Sequence, residues 1–276
     1  MKVYDYKKYL SFTEIYQDII CDLIDNPQYK IAPRGIPVRE MVNVTVVAHP
    51  KDVHIDFTKT QAPERQPVYD KYKKEELEWY LSGNTLASSA PSKFWLRLAD
   101  DKGHITSNYG YMMLFDKLYS PSKPDISDVP TLYVRKILPD AEVPTRTIRM
   151  VGDRKTAFEK VINDLTKDPH SRQAVVHYNQ PLYCYENNLD YPCTMHSQFF
   201  VRDGKLKMLT NMRSCDIFLG YSFDLPWNAH FMTMILDELN SKGMNLELGD
   251  LTMVFGSLHL YEKNLEIAEK IALNAE

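Results

Sequence analysis

Apolar residues recur at helical spacing from 10 to 25, where Ile15, Ile19, Ile20, Leu23 and Ile24 fall on one face and predict an amphipathic opening helix. A loop with Pro33, Gly35 and Pro37 follows it. The run from Met41 to His49 is rich in β-branched residues and predicts a strand. Asp70 to Gly83 joins good helix formers to apolar Leu77, Tyr80 and Leu81, with Gly83 as the expected C-cap. The five prolines between Tyr119 and Pro144 predict an irregular excursion, an insertion around one short strand at Thr131 to Ile137. Helical spacing returns from about Asp153 to Lys167, closed by Asp168 and Pro169, and Gln173 to Tyr178 predicts a buried strand. Two β-rich runs flank Asp203-Gly204, which is the signal of a tight hairpin. A helix from Asp224 to Leu239 and a strand from Leu251 to Tyr261 complete the pattern. Helices and strands alternate irregularly around a hairpin, so an α+β fold with a mixed sheet fits better than repeated βαβ units.

Composition narrows the function classes. The 276 residues are 44% hydrophobic, with 33 Lys and Arg against 37 Asp and Glu, a net charge of −4. A chain of this balance buries a core and carries no general basic face, so it is not expected to bind nucleic acid directly, though a few placed arginines would hold a small anion. Four cysteines without a CxxC pair give neither a disulfide framework nor a zinc site, so no metal is expected and a reducing cytoplasm is the expected compartment. The N-terminal residues mix charges and aromatics among the apolar positions, and no membrane span or leader is expected there.

Four groups of residues carry candidate chemistry. Cys193 follows Pro192 at the start of an apolar strand, where a nearby cation would make its thiolate a nucleophile; alternatively it is a small buried hydrophobe. Arg213, Ser214 and Asp216 close the hairpin, and a guanidinium beside a hydroxyl suits a phosphate or carboxylate, or a solvated strand end. Glu76 would move protons if an apolar setting raised its pKa; beside Glu75 and Glu78 it otherwise reads as a solvent-facing charge. His259 and Tyr261 alternate on one strand face and can point at one ligand, or be ordinary half-buried residues.

The order of these pieces says more than any one of them. Glu76-Leu77-x-Trp79-Tyr80-Leu81-x-Gly83-Asn84-Thr85 is followed by Asn108-Tyr109-Gly110, by Asp168-Pro169-x-Ser171-Arg172, and by Pro192-Cys193 with Gln198-Phe199. Arg213-Ser214-Cys215-Asp216-Ile217-Phe218-Leu219-Gly220-x-x-Phe223 and His259-Leu260-Tyr261 complete the series. In content and order it resembles the thymidylate synthase family over about residues 30 to 262. The resemblance implies one catalytic domain over 1–276, built as a mixed sheet with surrounding helices. It implies 5,10-methylenetetrahydrofolate as co-substrate and a pyrimidine nucleoside monophosphate as acceptor. Cys193 then looks like the nucleophile that adds to carbon 6 of the base, with Glu76 and Tyr109 assisting at carbon 5. Arg34, Arg213 and Ser214 look like phosphate ligands, and Arg172 like the arginine that this family lends across a homodimer interface. His259 and Tyr261 match the pair on the sugar hydroxyl, and Trp95, Asp216, Leu219, Gly220 and Phe223 fall where the family meets the folate.

One departure is informative. Where thymidylate synthases have asparagine this chain has Asp224, the residue that marks the phage deoxycytidylate hydroxymethylases. A carboxyl that shares a proton with ring nitrogen 3 and accepts from the 4-amino group suits cytosine, whereas a carboxylate facing the 4-oxygen of uracil sets acceptor against acceptor; as an alternative, Asp224 caps the following helix. Asn211-Met212 ahead of Arg213-Ser214, and Thr194 after Cys193, lean the same way. The expected product is 5-hydroxymethyl-dCMP, with water adding to an exocyclic methylene on the cysteine-bound base. Gln173 replaces a second arginine found in many relatives, and the fifteen residues after Tyr261 are fewer than the folate-closing tail of the synthases. A cytidylate hydroxymethylase, a methyl transfer to dUMP or dCMP, and a silent nucleotide-binding relative remain as alternatives.

Overall fold

The computed structural model describes residues 2–117, 154–180, 183 and 188–274, and the backbone of the pairs 125–126 and 148–149. Its strands are β1 (Lys2–Asp5), β2 (Tyr29–Ile31), β3 (Val38–Ala48), β4 (Asp125–Ile126), β5 (Ile148–Arg149), β6 (Val175–His177), β7 (Thr194–Arg202), β8 (Lys205–Met212), β9 (Cys215–Asp216) and β10 (Glu247–Tyr261). The α-helices are α1 (Phe12–Asp25), α2 (Gln66–Ser82), α3 (Tyr109–Leu114), α4 (Ala157–Lys167), α5 (Ser222–Ser241) and α6 (Leu265–Ala272).

Local signals explain most of these elements. Ser11 caps α1 by accepting from the Glu14 N–H, and Ile15, Ile19, Ile20 and Leu23 are then fully buried. Each such side chain contributes about 2 kcal/mol of burial. Thr156 and Glu159 form a reciprocal capping box on α4. Asp203 and Gly204 both adopt positive φ, the backbone a two-residue turn between β7 and β8 requires.

Eight strands make one mixed sheet in the order β1-β3-β10-β8-β7-β6, with β2 on β3 and β9 on β10. β10 runs antiparallel to β3 and parallel to β8 and β9. Its buried positions alternate with half-exposed ones, as they do on β7 and β8. One sheet face is thus packed under helices such as α1 and α5. The other is half-exposed and carries Val47, Val175, His196, Gln198, Phe200 and Leu209.

The α+β expectation holds, with differences in extent. α2 begins at Gln66 rather than Asp70, with Pro67 in its first turn, where the missing N–H costs nothing. α4 begins at Ala157 rather than near Asp153, and β3 and β10 each start three or four residues earlier than the sequence pattern suggests. β1, β2, β9, α3 and α6 have no counterpart among the predicted elements. The expected strand from Thr131 to Ile137, and the insertion that holds it, lie outside the described residues apart from the β4–β5 backbone pair. Among the described residues no helix is long and apolar enough to cross a membrane.

Candidate active site

The β7–β8 hairpin brings Cys193 and Arg213 together, because the chain leaves the ladder one residue beyond each strand end. The Arg213 N–H donates to the Cys193 carbonyl at 2.8 Å. The Arg213 guanidinium donates from Nε to the Pro192 carbonyl at 3.0 Å and from Nη2 to the Tyr191 carbonyl at 2.7 Å, and lies 4.9 Å over the Tyr191 ring. Its side chain is exposed, so the rest of the fork is open to an anion. β9 and the end of β10 bring in further groups, since His259 pairs with Asp216 and packs edge-on against Tyr261 at 5.1 Å. Arg34, in the turn before β3, sits in the left-handed region at φ 53, a conformation that costs energy outside glycine. Its charge acts on both Cys193 and Tyr261.

Tyr109 fixes the backbone under Cys193. Its Oη accepts from the Cys193 N–H at 3.1 Å and from the Thr194 N–H at 3.2 Å, so both lone pairs are engaged and the phenol proton is left to donate elsewhere. Asn108 caps α3 by accepting from the Tyr111 N–H and donates to the Asn84 carbonyl, tying α3 to the turn after α2. Gly110 lets the helices touch, since a Cβ there would stand 2.0 Å from the Tyr80 carbonyl oxygen. Buried Asp190 accepts from the Ser107 N–H at 2.8 Å and from the Thr106 N–H and the Ser107 hydroxyl, so it clamps the segment before Cys193 to the start of α3.

Carboxyl groups converge opposite the thiol. Glu76 is only 7% exposed, and burial together with the nearby Asp224 holds its pKa well above the carboxylate range, while the Tyr72 hydroxyl donates to Oε1 at 3.3 Å. Asp224, in the first turn of α5, is pushed up to about 7 by burial. Asp216 is pushed up to about 6 by burial while it accepts from the Phe218 and Leu219 N–H groups at 3.2 Å, capping a turn of π-helix over Ile217–Tyr221. Such turns interrupt helices chiefly at functional positions. The Cys193 thiol is pushed up as well: burial outweighs the pull of Arg213 and Arg34, and Asp224 and Asp190 add to it. The cations therefore act in the expected direction, against the larger effect of burial.

A cavity of about 470 Å³ opens between α2 and α5. Glu76, Tyr80, Phe223 and Trp227 line it, and Lys51, His54, Lys73, Lys74 and His230 surround them. Phe223 is packed 4.6 Å from Tyr72, and Trp95 stands 5.3 Å from Trp79, whose buried indole N–H has no acceptor among the described residues. Aromatic walls and a cationic margin fit a flat heteroaromatic group with an anionic tail, as in a folate.

Most of the sequence candidates therefore meet in one place. Arg213, Arg34, Asp224 and Tyr261 act electrostatically on Cys193, Tyr109 holds its backbone, His259 packs on Tyr261 beside Asp216, and Glu76 adjoins Asp224. Gly220 and Phe223 adjoin Asp224, Leu219 is 61% exposed, and Ser214 lies in the turn between β8 and β9. Arg172 is exposed ahead of β6, where its carbonyl accepts from Gln198, and the guanidinium charges that act on Cys193 are those of Arg213 and Arg34. Asp190, Lys51, His54 and Lys73 were not singled out from the sequence, where each reads as an ordinary surface residue. Among the described residues no cluster of three or more His, Cys, Asp or Glu is placed to hold a metal.

The thymidylate synthase family model matches residues 14–274. The chain belongs to the thymidylate synthase family. Members of this family transfer one-carbon units to nucleoside monophosphates with methylenetetrahydrofolate as co-substrate. The chain is 24% identical over 209 residues to the deoxycytidylate 5-hydroxymethyltransferase of Enterobacteria phage T4, covering 72% of this chain and 70% of that protein. The phage T6 protein of the same name matches equally well. The chain is also 33% identical over 115 residues to the thymidylate synthase of Staphylococcus haemolyticus, covering 42% of this chain and 34% of that enzyme.

Proposed function

We propose that this protein is a deoxycytidylate 5-hydroxymethyltransferase, which converts dCMP, methylenetetrahydrofolate and water to 5-hydroxymethyl-dCMP and tetrahydrofolate. The observation that carries this reading is Asp224, a half-buried carboxyl in the first turn of α5 that acts on both Cys193 and Glu76 and is pushed up to about 7 by desolvation. A carboxyl near that value is able to share a proton with a ring nitrogen at neutral pH and still accept from an exocyclic amine, which is the pattern cytosine presents. The phage hydroxymethyltransferases among the relatives support the same reading.

The chain's own groups divide the work. Cys193 adds its sulfur to carbon 6 of the base, and the proton the thiol gives up to solvent is matched by the one that Asp224 shares with ring nitrogen 3 as the ring double bond moves. Glu76, whose pKa burial holds well above the carboxylate range, and the Tyr109 hydroxyl handle proton transfer about carbon 5. Arg34, Arg213 and Ser214 take the phosphate, and His259 and Tyr261 the sugar hydroxyl. The folate supplies a one-carbon unit at the oxidation level of formaldehyde. Trp95, Asp216, Leu219, Gly220 and Phe223 hold its ring system, and Lys51 and Lys73 meet its carboxylates. The half-exposed sheet face, continuous from Val47 to Val175, supports a homodimer in which a second copy lends the partner's Arg172 to the phosphate. The three described cysteines are free thiols, in keeping with a cytoplasmic enzyme.

The test is incubation of the protein with methylenetetrahydrofolate and, separately, dCMP, CMP, dUMP and UMP, followed by mass spectrometry of the nucleotide. A gain of CH₂O on dCMP is expected. The same gain on CMP moves the acceptor to the ribonucleotide, a gain of CH₂ turns the reaction into methylation, and turnover of dUMP alone overturns the Asp224 argument.

A further inference from the structure

The roles above leave Cys215 without a task, although it lies against the group proposed to read the base. It is buried, pairs with Leu258 in the β9–β10 ladder, and places Sγ 3.7 Å from Asp224 Oδ2 in donating geometry. Sγ also stands 3.6 Å from the Asp216 carbonyl, an alternative acceptor within the same strand. Gly220 makes the contact with Asp224 possible. A Cβ at that position would stand 2.8 Å from Sγ and 3.2 Å from Oδ2, so any side chain there has to push the thiol or the carboxyl aside.

A neutral carboxyl has one hydroxyl and one carbonyl oxygen, and it exchanges them by moving its proton. Cytosine presents an acceptor at ring nitrogen 3 and a donor at the 4-amino group, whereas uracil presents the reverse. A carboxyl free to exchange would therefore read both bases. A donor fixed against one oxygen makes that oxygen the acceptor and assigns the proton to the other, which leaves one donor–acceptor order available.

We propose that Cys215 is a positioning residue that fixes the donor–acceptor order of the Asp224 carboxyl through its S–H bond to Oδ2, and so contributes to the choice of cytosine over uracil. The inference rests on the reading of Asp224 as the base reader. Because a thiol is a weak donor, its share of the selectivity is modest, about three- to fivefold.

Equilibrium binding of dCMP and dUMP to the full-length protein tests this without requiring turnover, by comparing the ratio of the two Kd values in Cys215→Ala, Cys215→Ser, Gly220→Ala and Asp224→Asn variants. Cys215→Ala is expected to cut the preference for dCMP about three- to fivefold, and Cys215→Ser, which keeps a donor, to retain it. Gly220→Ala, which displaces the same contact, is expected to lower the preference too, and serves if the alanine at 215 does not fold. A parental ratio in folded Cys215→Ala or Gly220→Ala overturns the proposal, as does a serine variant that falls as far as the alanine one. If Asp224→Asn shifts the ratio while Cys215→Ala does not, only the role of Cys215 falls. An unchanged ratio in Asp224→Asn removes the base reader itself.

Discussion

Replacing Tyr109 with phenylalanine removes an acceptor shared by two backbone donors. The Thr194 N–H belongs to a residue only 3% exposed, so solvent does not replace the lost bond, while the Cys193 N–H is part-buried. An orphaned buried donor costs about 1–3 kcal/mol. Taking the upper half of that range for Thr194 and the lower half for Cys193 gives a loss of about 4 kcal/mol, or several hundredfold in the folding equilibrium. Turnover falls further than stability alone explains, because the strand start that carries Cys193 loosens and the phenol proton disappears with the hydroxyl. Urea denaturation at constant m-value reads the first effect, and kcat against KM for the nucleotide the second. The expected pattern is a lower unfolding midpoint with a drop in kcat and a smaller change in KM. A phenylalanine variant within about 0.5 kcal/mol of the parent would refute the reasoning, since it would mean that a water or a shifted strand satisfies both N–H groups.

Further predictions follow from the same packing and charge. Gly110→Ala forces a Cβ into the Tyr80 backbone at 2.0 Å, so α3 has to lift from α2 and the melting temperature is expected to fall by several degrees; an unchanged melt would show that the two helices can separate freely. Lys73→Gln is expected to raise KM for the folate severalfold at low salt, with the effect shrinking as salt is added and the nucleotide KM unchanged; a shift in nucleotide KM alone would place Lys73 elsewhere in function. Asp224 and Asp216 are pushed up by burial to about 7 and about 6, so the folded state binds their protons more tightly than the unfolded chain. Their contribution to stability is present below about pH 4 and is lost as pH rises through about 7, at up to about 1.4 kcal/mol per unit per group. Asp224→Asn should flatten that part of the slope in urea midpoints taken from pH 4 to 8, and an identical slope would contradict its burial as a carboxyl.

Elements whose own residues specify them could be read from the sequence. The α1 stripe and the Asp203-Gly204 turn are local instructions, and both folded as read. β1, β2 and β9 were invisible because they are two to four residues long and exist only through partners far along the chain, such as the pairing of Lys2–Asp5 with residues 44–47. The site was legible as a set of residues in order, but its electrostatics were not. Glu76 stands between charged neighbours on a helix that buries Tyr69, Trp79 and Tyr80, and nothing local distinguishes its buried carboxyl from the exposed one of Glu78. At Cys193 the cations expected to favour the thiolate are present, but the burial that opposes them could not be read, since charge can be counted in a sequence whereas desolvation depends on what packs around it. Asp190 went unremarked because its partners, Thr106 and Ser107, lie far from it along the chain.

β10 has a consequence for how the protein is made. Among the described residues it alone joins β3 to β8, and its far end sets Leu258 and His259 beside Cys215 and Asp216. During synthesis the described strands before it therefore emerge as two sheet fragments, each exposing the edge that residues 247–261 later cover. Closing pairs this distant is slow and leaves sticky edges in the interval. Nascent chains of this protein should thus depend on chaperones holding β3 and the hairpin apart until the ribosome has released the strand that joins them.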